Sequence, residues 1–151
     1  MSGSNGLAHA VADVAQGCVS ASVEIAAPAD VVFRAMTSPQ ICDWWVRPGV
    51  FDTREWSGDV RAGGSWRSSG VFRGQPYALE GEFLAVDAPR KLVHTWRGGS
   101  GAVTTVTYVL EPTDGGTRVT LRHSGFASPE ACENTAIGWE TSFQQLIKVL
   151  T

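Results

Sequence analysis

Between Val50 and Phe126 the sequence is cut at short intervals by turn residues: Ala62-Gly63-Gly64, Gly74-Gln75-Pro76, Asp87-Ala88-Pro89, Gly98 to Gly101 and Asp114-Gly115-Gly116. The runs between these breaks alternate apolar and polar residues, as half-buried strands do. They predict six strands, near residues 51–60, 64–72, 77–86, 91–97, 102–111 and 117–124. Connections this short join only antiparallel neighbours, because a parallel pair needs a long crossover. An earlier run, Val19 through Ala21 and Val23 to Ile25, alternates in the same way and adds a seventh strand.

Helical patterns flank this sheet. In "PADVVFRAM", Pro28 suits a first helical position and Asp30 meets the positive end of the dipole, with Val32, Ala35 and Met36 on one face. "SPQICDWW" predicts a second short helix, with Ser38 as N-cap and Pro39 following it, closed by Pro48-Gly49. The last segment, "SPEACENTAIGWETSFQQLIKVLT", predicts one long helix whose stripe is Cys132, Ala136, Trp139, Phe143, Leu146 and Leu150. A long antiparallel sheet with one long amphipathic helix is an α+β architecture. A twisted seven-stranded sheet curls, so the C-terminal helix is expected across its concave face.

The chain has 151 residues, the length of one domain. Residues 1–17 are expected to be a flexible tail, with at most a helical turn over Leu7 to Val14, and residues 18–151 a single domain. A net charge of −3 argues against a dedicated nucleic-acid binder. No apolar run approaches the roughly 18 residues of a membrane span. Cys18, Cys42 and Cys132 are scattered and odd in number, which fits reduced thiols in a cytoplasmic protein. His9, His94 and His123 show no clustered spacing, so no metal site and no cofactor are expected. There is no G-x-S-x-G elbow, and "RGGSG" has no helix behind it to hold a phosphate.

A helix laid over a curved sheet often leaves a hollow, and ligand pockets are mostly apolar with a few polar groups. Alternation nominates the inward residues. Leu92, His94 and Trp96 share one strand face; Val106, Tyr108 and Leu110 another; Val119, Leu121 and His123 a third. Trp66 stands with Ser68, Gly70 and Phe72, and the helix contributes Trp139 and Phe143. His94 and His123 lie among apolar neighbours, where a hydrogen-bonded structural role is preferred to proton transfer. Arg61, Arg67, Arg90 and Arg97 read as surface charges. Gly138 interrupts a helix at roughly 1 kcal/mol relative to Ala, and close packing is its expected reason.

Four stretches carry a resemblance. "IAAPADVVFRAMTSPQICDWW", "DVRAGGSWR", "GEFLAVDAPRKLVHTW" and "IGWETSFQQLIKVL" occur in order and span nearly all of residues 19–150. Ala62 stands where Pro is common. The chain resembles the START-like (SRPBCC) superfamily with its helix-grip fold, and within it the family named after the activator of the heat-shock-protein-90 ATPase. The resemblance implies a seven-stranded curved sheet gripping the C-terminal helix, with two short helices after the first strand.

Adjacent helical residues point about 100° apart, so Trp44 and Trp45 cannot serve one surface. One is expected to pack with Ile41 and the other to reach the cavity mouth, unless both are core. The spacing does not say which, and the resemblance favours Trp45 for the mouth. The candidate ligand-binding set is therefore Trp45, Trp66, His94, Trp96, Tyr108, His123, Trp139 and Phe143. The first functional expectation is a module that binds a small hydrophobic molecule, whether lipid, polyketide or aromatic metabolite. Alternatives are a polyketide cyclase- or hydrolase-like enzyme using His94, His123 or Tyr108, and a co-chaperone that stimulates a chaperone ATPase. A homodimer is compatible with each.

Overall fold

The computed structural model describes residues 8–98 and 102–151. Its elements are β1 (His9–Asp13), β2 (Cys18–Ile25), α1 (Ala29–Met36), α2 (Ile41–Trp44), β3 (Val46–Arg47), β4 (Phe51–Gly58), β5 (Ser65–Phe72), β6 (Gln75–Asp87), β7 (Lys91–Arg97), β8 (Val103–Thr113), β9 (Gly116–Ser124) and α3 (Pro129–Leu150). The strands form one antiparallel sheet in the order β1-β2-β9-β8-β7-β6-β5-β4-β3. The architecture is α+β: a curled half-barrel closed by the long C-terminal helix, the helix-grip fold.

The expected strands are all present, within a few residues at each end. The sheet has nine strands among the described residues rather than seven. The first addition is β1, where a tail was expected; that part of the tail which is residues 1–7 lies outside the described residues. The sequence "HAVAD" is rich in Ala and carries no strand signal of its own. Pairing decides it: β1 aligns with β2 from His9↔Ser22 to Asp13↔Cys18. Glu140 on α3 also accepts a hydrogen bond from the Ala10 N–H at 3.1 Å. The second addition, β3, is two residues long and pairs Val46↔Asp52 and Arg47↔Phe51, too short to show a period. The Gly98–Gly101 turn lies largely outside the described residues.

Helix α3 starts as its sequence requires. The Ser128 hydroxyl accepts from the Ala131 N–H at 3.2 Å, Pro129 occupies the first turn, and Glu130 faces the dipole. Cys132, Ala136, Trp139, Phe143 and Leu146 are buried against the sheet, whereas Leu150 is half-buried. Helix α2 is shorter than expected: it begins after Gln40, not Ser38, and the Ser38 hydroxyl instead accepts from the Gln40 N–H at 3.3 Å. This late start places Trp44 in the final turn and Trp45 beyond it, at the C-cap with φ −78° and ψ 64°.

The sheet curves tightly enough that side chains reach across neighbouring strands. A Cβ at Gly81 would lie 2.0 Å from the Thr95 carbonyl oxygen and 2.3 Å from Trp66 Nε1. Gly81 pairs directly opposite Trp66, so its missing side chain is what lets the Trp66 indole lie across β6. That indole N–H donates to the Thr95 carbonyl on β7 at 3.1 Å.

Candidate functional site

The paired tryptophans diverge because one is helical and the other is not. Trp44 is fully buried, its N–H donates to the Ala35 carbonyl at 2.8 Å, and its ring stacks on Phe143 at 6.2 Å. It fastens α2 to α1 and α3. Trp45 turns toward the sheet, where its ring lies 4.9 Å from Trp96, 5.6 Å from Trp66 and 6.3 Å from Trp139.

Around these indoles the concavity is filled with rings rather than empty. Trp66, His94 and Trp96 pack in sequence, with centroids 5.2 Å apart for Trp66–His94 and 5.6 Å for Trp66–Trp96. Tyr108 and His123 flank Trp139 at 5.9 and 6.1 Å. Such edge-to-face and tilted pairs each add about 0.5–1.5 kcal/mol beyond area burial. Trp66, His94, Tyr108, His123 and Phe143 are buried within this ring cluster and form its packed floor.

The two inward histidines are held neutral. The Trp139 N–H donates to His123 Nδ1 at 3.0 Å. An indole nitrogen only donates, so Nδ1 must carry its lone pair and the proton sits on Nε2. Nε2–H then donates to the Thr104 hydroxyl at 2.7 Å, which donates onward to the Trp96 carbonyl at 3.2 Å. Burial pulls the His123 pKa down to about 3, and nearby His94 adds to this. His94 donates from Nδ1 to the Thr95 carbonyl at 2.9 Å; burial lowers its pKa to about 4, and that hydrogen bond opposes the shift. Burial also pushes the Tyr108 phenol far up; the Trp45 N–H pulls the other way, although the two atoms do not meet hydrogen-bond geometry. Trp45 Nε1, Ser68 Oγ and Tyr108 Oη are buried without a hydrogen-bond partner among the described residues.

Open space remains at one end of the grip. A pocket of about 270 Å³ lies between the first half of α3 and the tips of two hairpins. Trp45, Trp96 and Trp139 form its aromatic wall. Val50, Phe51 and Phe72 form the opposite side, Asn134, Thr135, Gly138 and Ser142 the helix side, and Arg47 and Arg73 complete it. Of the eight candidates from the sequence, three border this pocket and five lie behind it. Gly138 departs from its expected role. A methyl group there would meet nothing within 4 Å, so close packing is not what it serves; it borders the pocket instead.

Arg47 and Arg73 were not legible as site residues, because Arg47 ends a two-residue strand and Arg73 sits at a hairpin tip. Arg47 precedes Pro48-Gly49, a turn closed by the Val50 N–H to the Arg47 carbonyl at 2.9 Å with Gly49 at φ 79°. Pro then Gly at the two central positions is the type II pattern. Arg73 and Gly74 form the two-residue tip of the β5–β6 hairpin, both at positive φ, 49° and 80°. The Arg73 N–H donates to the Val50 carbonyl at 2.7 Å and stitches the two tips together.

Other depressions are larger but carry no comparable chemistry. One of about 470 Å³ is lined by Glu55, Arg67, Glu80 and Arg97 among others, and there Arg97 already pairs with Glu80. Among the described residues no group of three or more His, Cys, Asp and Glu side chains could hold a metal, and no helix is long and apolar enough to cross a membrane. Cys18, Cys42 and Cys132 are free thiols.

Known structures share this fold. Protein CV1439 from Chromobacterium violaceum superposes with a TM-score of 0.79 at 22% identity, covering 89% of this chain and 97% of that one. Protein NE0264 from Nitrosomonas europaea gives 0.77 at 26% identity, covering 90% and 95%. SA2116 from Staphylococcus aureus, described as a protein of unknown function, gives 0.73 at 16% identity, covering 95% and 94%. No curated protein matches the sequence significantly. The family described as Activator of Hsp90 ATPase homolog 1-like protein matches residues 26–151, all three helices and every strand from β3 onward. The chain belongs to this family of START-like, helix-grip proteins.

Proposed function

We propose that the protein binds one small, largely hydrophobic molecule in the pocket walled by Trp45, Trp96 and Trp139 beneath α3. The observation that carries this reading is Gly138. A glycine inside a helix costs roughly 1 kcal/mol relative to Ala. No neighbour requires it here, and the volume it leaves free borders the indole wall. At about 270 Å³ the space lies just below the range of roughly 300–1,000 Å³ usual for ligand pockets. That favours a one- or two-ring aromatic metabolite over a long lipid or an extended polyketide. The free thiols support a reducing compartment, the cytoplasm.

The enzymatic alternative has weaker support. Both nitrogens of His123 are engaged, and His94, His123 and Tyr108 do not border the pocket. The co-chaperone alternative rests on the family's description alone.

Native mass spectrometry and tryptophan fluorescence against a library of lipids, polyketides and aromatic metabolites test the proposal. An aromatic ligand is expected to bind one to one and quench the indole emission. The Gly138→Leu variant is expected to fold and to lose that binding. Binding that survives a leucine at this position would overturn the proposal.

A further inference from the structure

The pocket is one-sided in charge. Two arginines border it and no Asp or Glu does, in a protein whose net charge is −3. Elsewhere the arginines are mostly paired: Arg54 with Asp52, Arg61 with Asp59, Arg90 with Asp87, Arg97 with Glu80 and Arg118 with Glu24. Arg47 and Arg73 make no ion pair among the described residues, and the residues outside that set contain no acidic side chain.

Both are set by the backbone where an anion at the pocket mouth would meet them. Arg47 pairs directly opposite Phe51 on β4, so the two side chains stand on one face, and both border the pocket. The Arg73 guanidinium lies over the Phe72 ring at 5.3 Å, which keeps a cation on an aromatic rim. Arg73 also occupies a left-handed backbone position, φ 49°, at the first place of a two-residue hairpin tip. Asn, Asp or Gly suits that place and Arg does not. A residue that sits against its backbone preference, borders a pocket and has no carboxylate partner points to a binding role.

We infer that the ligand of this pocket is a small aromatic carboxylate, its ring against the indole wall and its anion held at the mouth by Arg47 and Arg73. This rests on the ligand-binding reading above. Guanidinium groups bind carboxylates through paired, charge-assisted hydrogen bonds, and Trp96 and Phe72 both line the pocket that would take the ring. The neutral part of the ligand would supply affinity and the carboxylate selectivity.

A matched pair of probes separates the two claims: 2-naphthoate and its neutral isostere 2-naphthamide, titrated by calorimetry and by indole quenching. The wild type is expected to prefer naphthoate by about tenfold, since hydrogen bonds to charged groups exceed neutral ones by that order. Added salt should weaken naphthoate and leave naphthamide unchanged. Arg47→Gln and Arg73→Asn should each reduce the preference several-fold, and the double variant should abolish it. Asn relieves the backbone at position 73, so that variant keeps the hairpin intact. Equal binding of the two probes overturns the carboxylate inference and leaves the pocket reading standing. A preference that persists in the double variant overturns the assignment to these arginines. Binding of neither probe at millimolar concentration overturns both claims.

Discussion

Trp139 shows how a single side chain joins packing to polarity. Its ring spans Trp45, Trp96, Tyr108 and Phe143, and its N–H fixes the tautomer of His123. Removing only the N–H leaves a buried acceptor unpaired, which costs about 1–3 kcal/mol. Trp139→Phe is therefore expected to lower stability by about that much, together with lost packing. Chemical denaturation measures it, and a change below about 0.5 kcal/mol would remove His123 from its hydrogen-bonded role. The sequence already placed Trp139 and His123 on inward faces. It did not show that they bond, since that link joins residues on different elements whose separation no local period encodes. It likewise left Trp44 and Trp45 open, because the choice depended on where α2 ends.

At the scale of elements, two residues that border the pocket sit where another residue would suit the backbone better. Gly138 interrupts α3 without a packing reason, so Gly138→Ala is expected to raise stability by about 1 kcal/mol and to leave room for a small ligand. A drop in the thermal midpoint would mean that the glycine answers a backbone need instead. Arg73 sits where Asn belongs, so Arg73→Asn is expected to stabilise the β5–β6 hairpin by a few tenths to about 1 kcal/mol. Thermal unfolding reads this directly, and a destabilised variant would show that the guanidinium supports the fold. β1 behaves in the opposite sense. Deleting residues 1–13 removes its pairing with β2 and the Glu140 contact, and leaves β2 as an exposed edge. The truncated chain is expected to unfold earlier and to self-associate, as scattering would detect. The strands from β4 onward were legible because alternation and turn residues are local signals. β1 and β3 were not, because one is Ala-rich and the other is two residues long; each exists through its partner.

The whole molecule is a half-barrel whose concave side is packed with aromatic rings, and this sets its response to acid. His94 and His123 are neutral in the fold, at about 4 and about 3, against an ordinary 6.5 once unfolded. Below pH 6.5 the unfolded chain therefore binds more protons than the folded one, and stability falls as pH drops. The stabilisation is complete above 6.5 and is lost progressively toward the folded values. Each histidine contributes a slope of up to about 1.4 kcal/mol per pH unit. Urea midpoints are expected to fall steadily between neutral pH and about pH 5, well above the ordinary range of carboxylates. A flat profile there would mean that neither imidazole is held neutral by burial.

The sequence by itself determined β2, the strands from β4 onward, the closing helix and their inward faces. A period of two and a period of 3.6 are written in consecutive residues, and turns announce themselves through Gly and Pro. From this the α+β class, the antiparallel order, the closing helix and the aromatic underside followed. Only the tertiary structure decided which of those inward rings cover one another and which border open space. Trp66, His94, Tyr108, His123 and Phe143 became floor, while Trp45, Trp96 and Trp139 became wall. It also brought Arg47 and Arg73 to one mouth through a backbone hydrogen bond between two hairpin tips. Such juxtapositions depend on sheet curvature and ring packing summed over the whole chain, and no short stretch of residues encodes them.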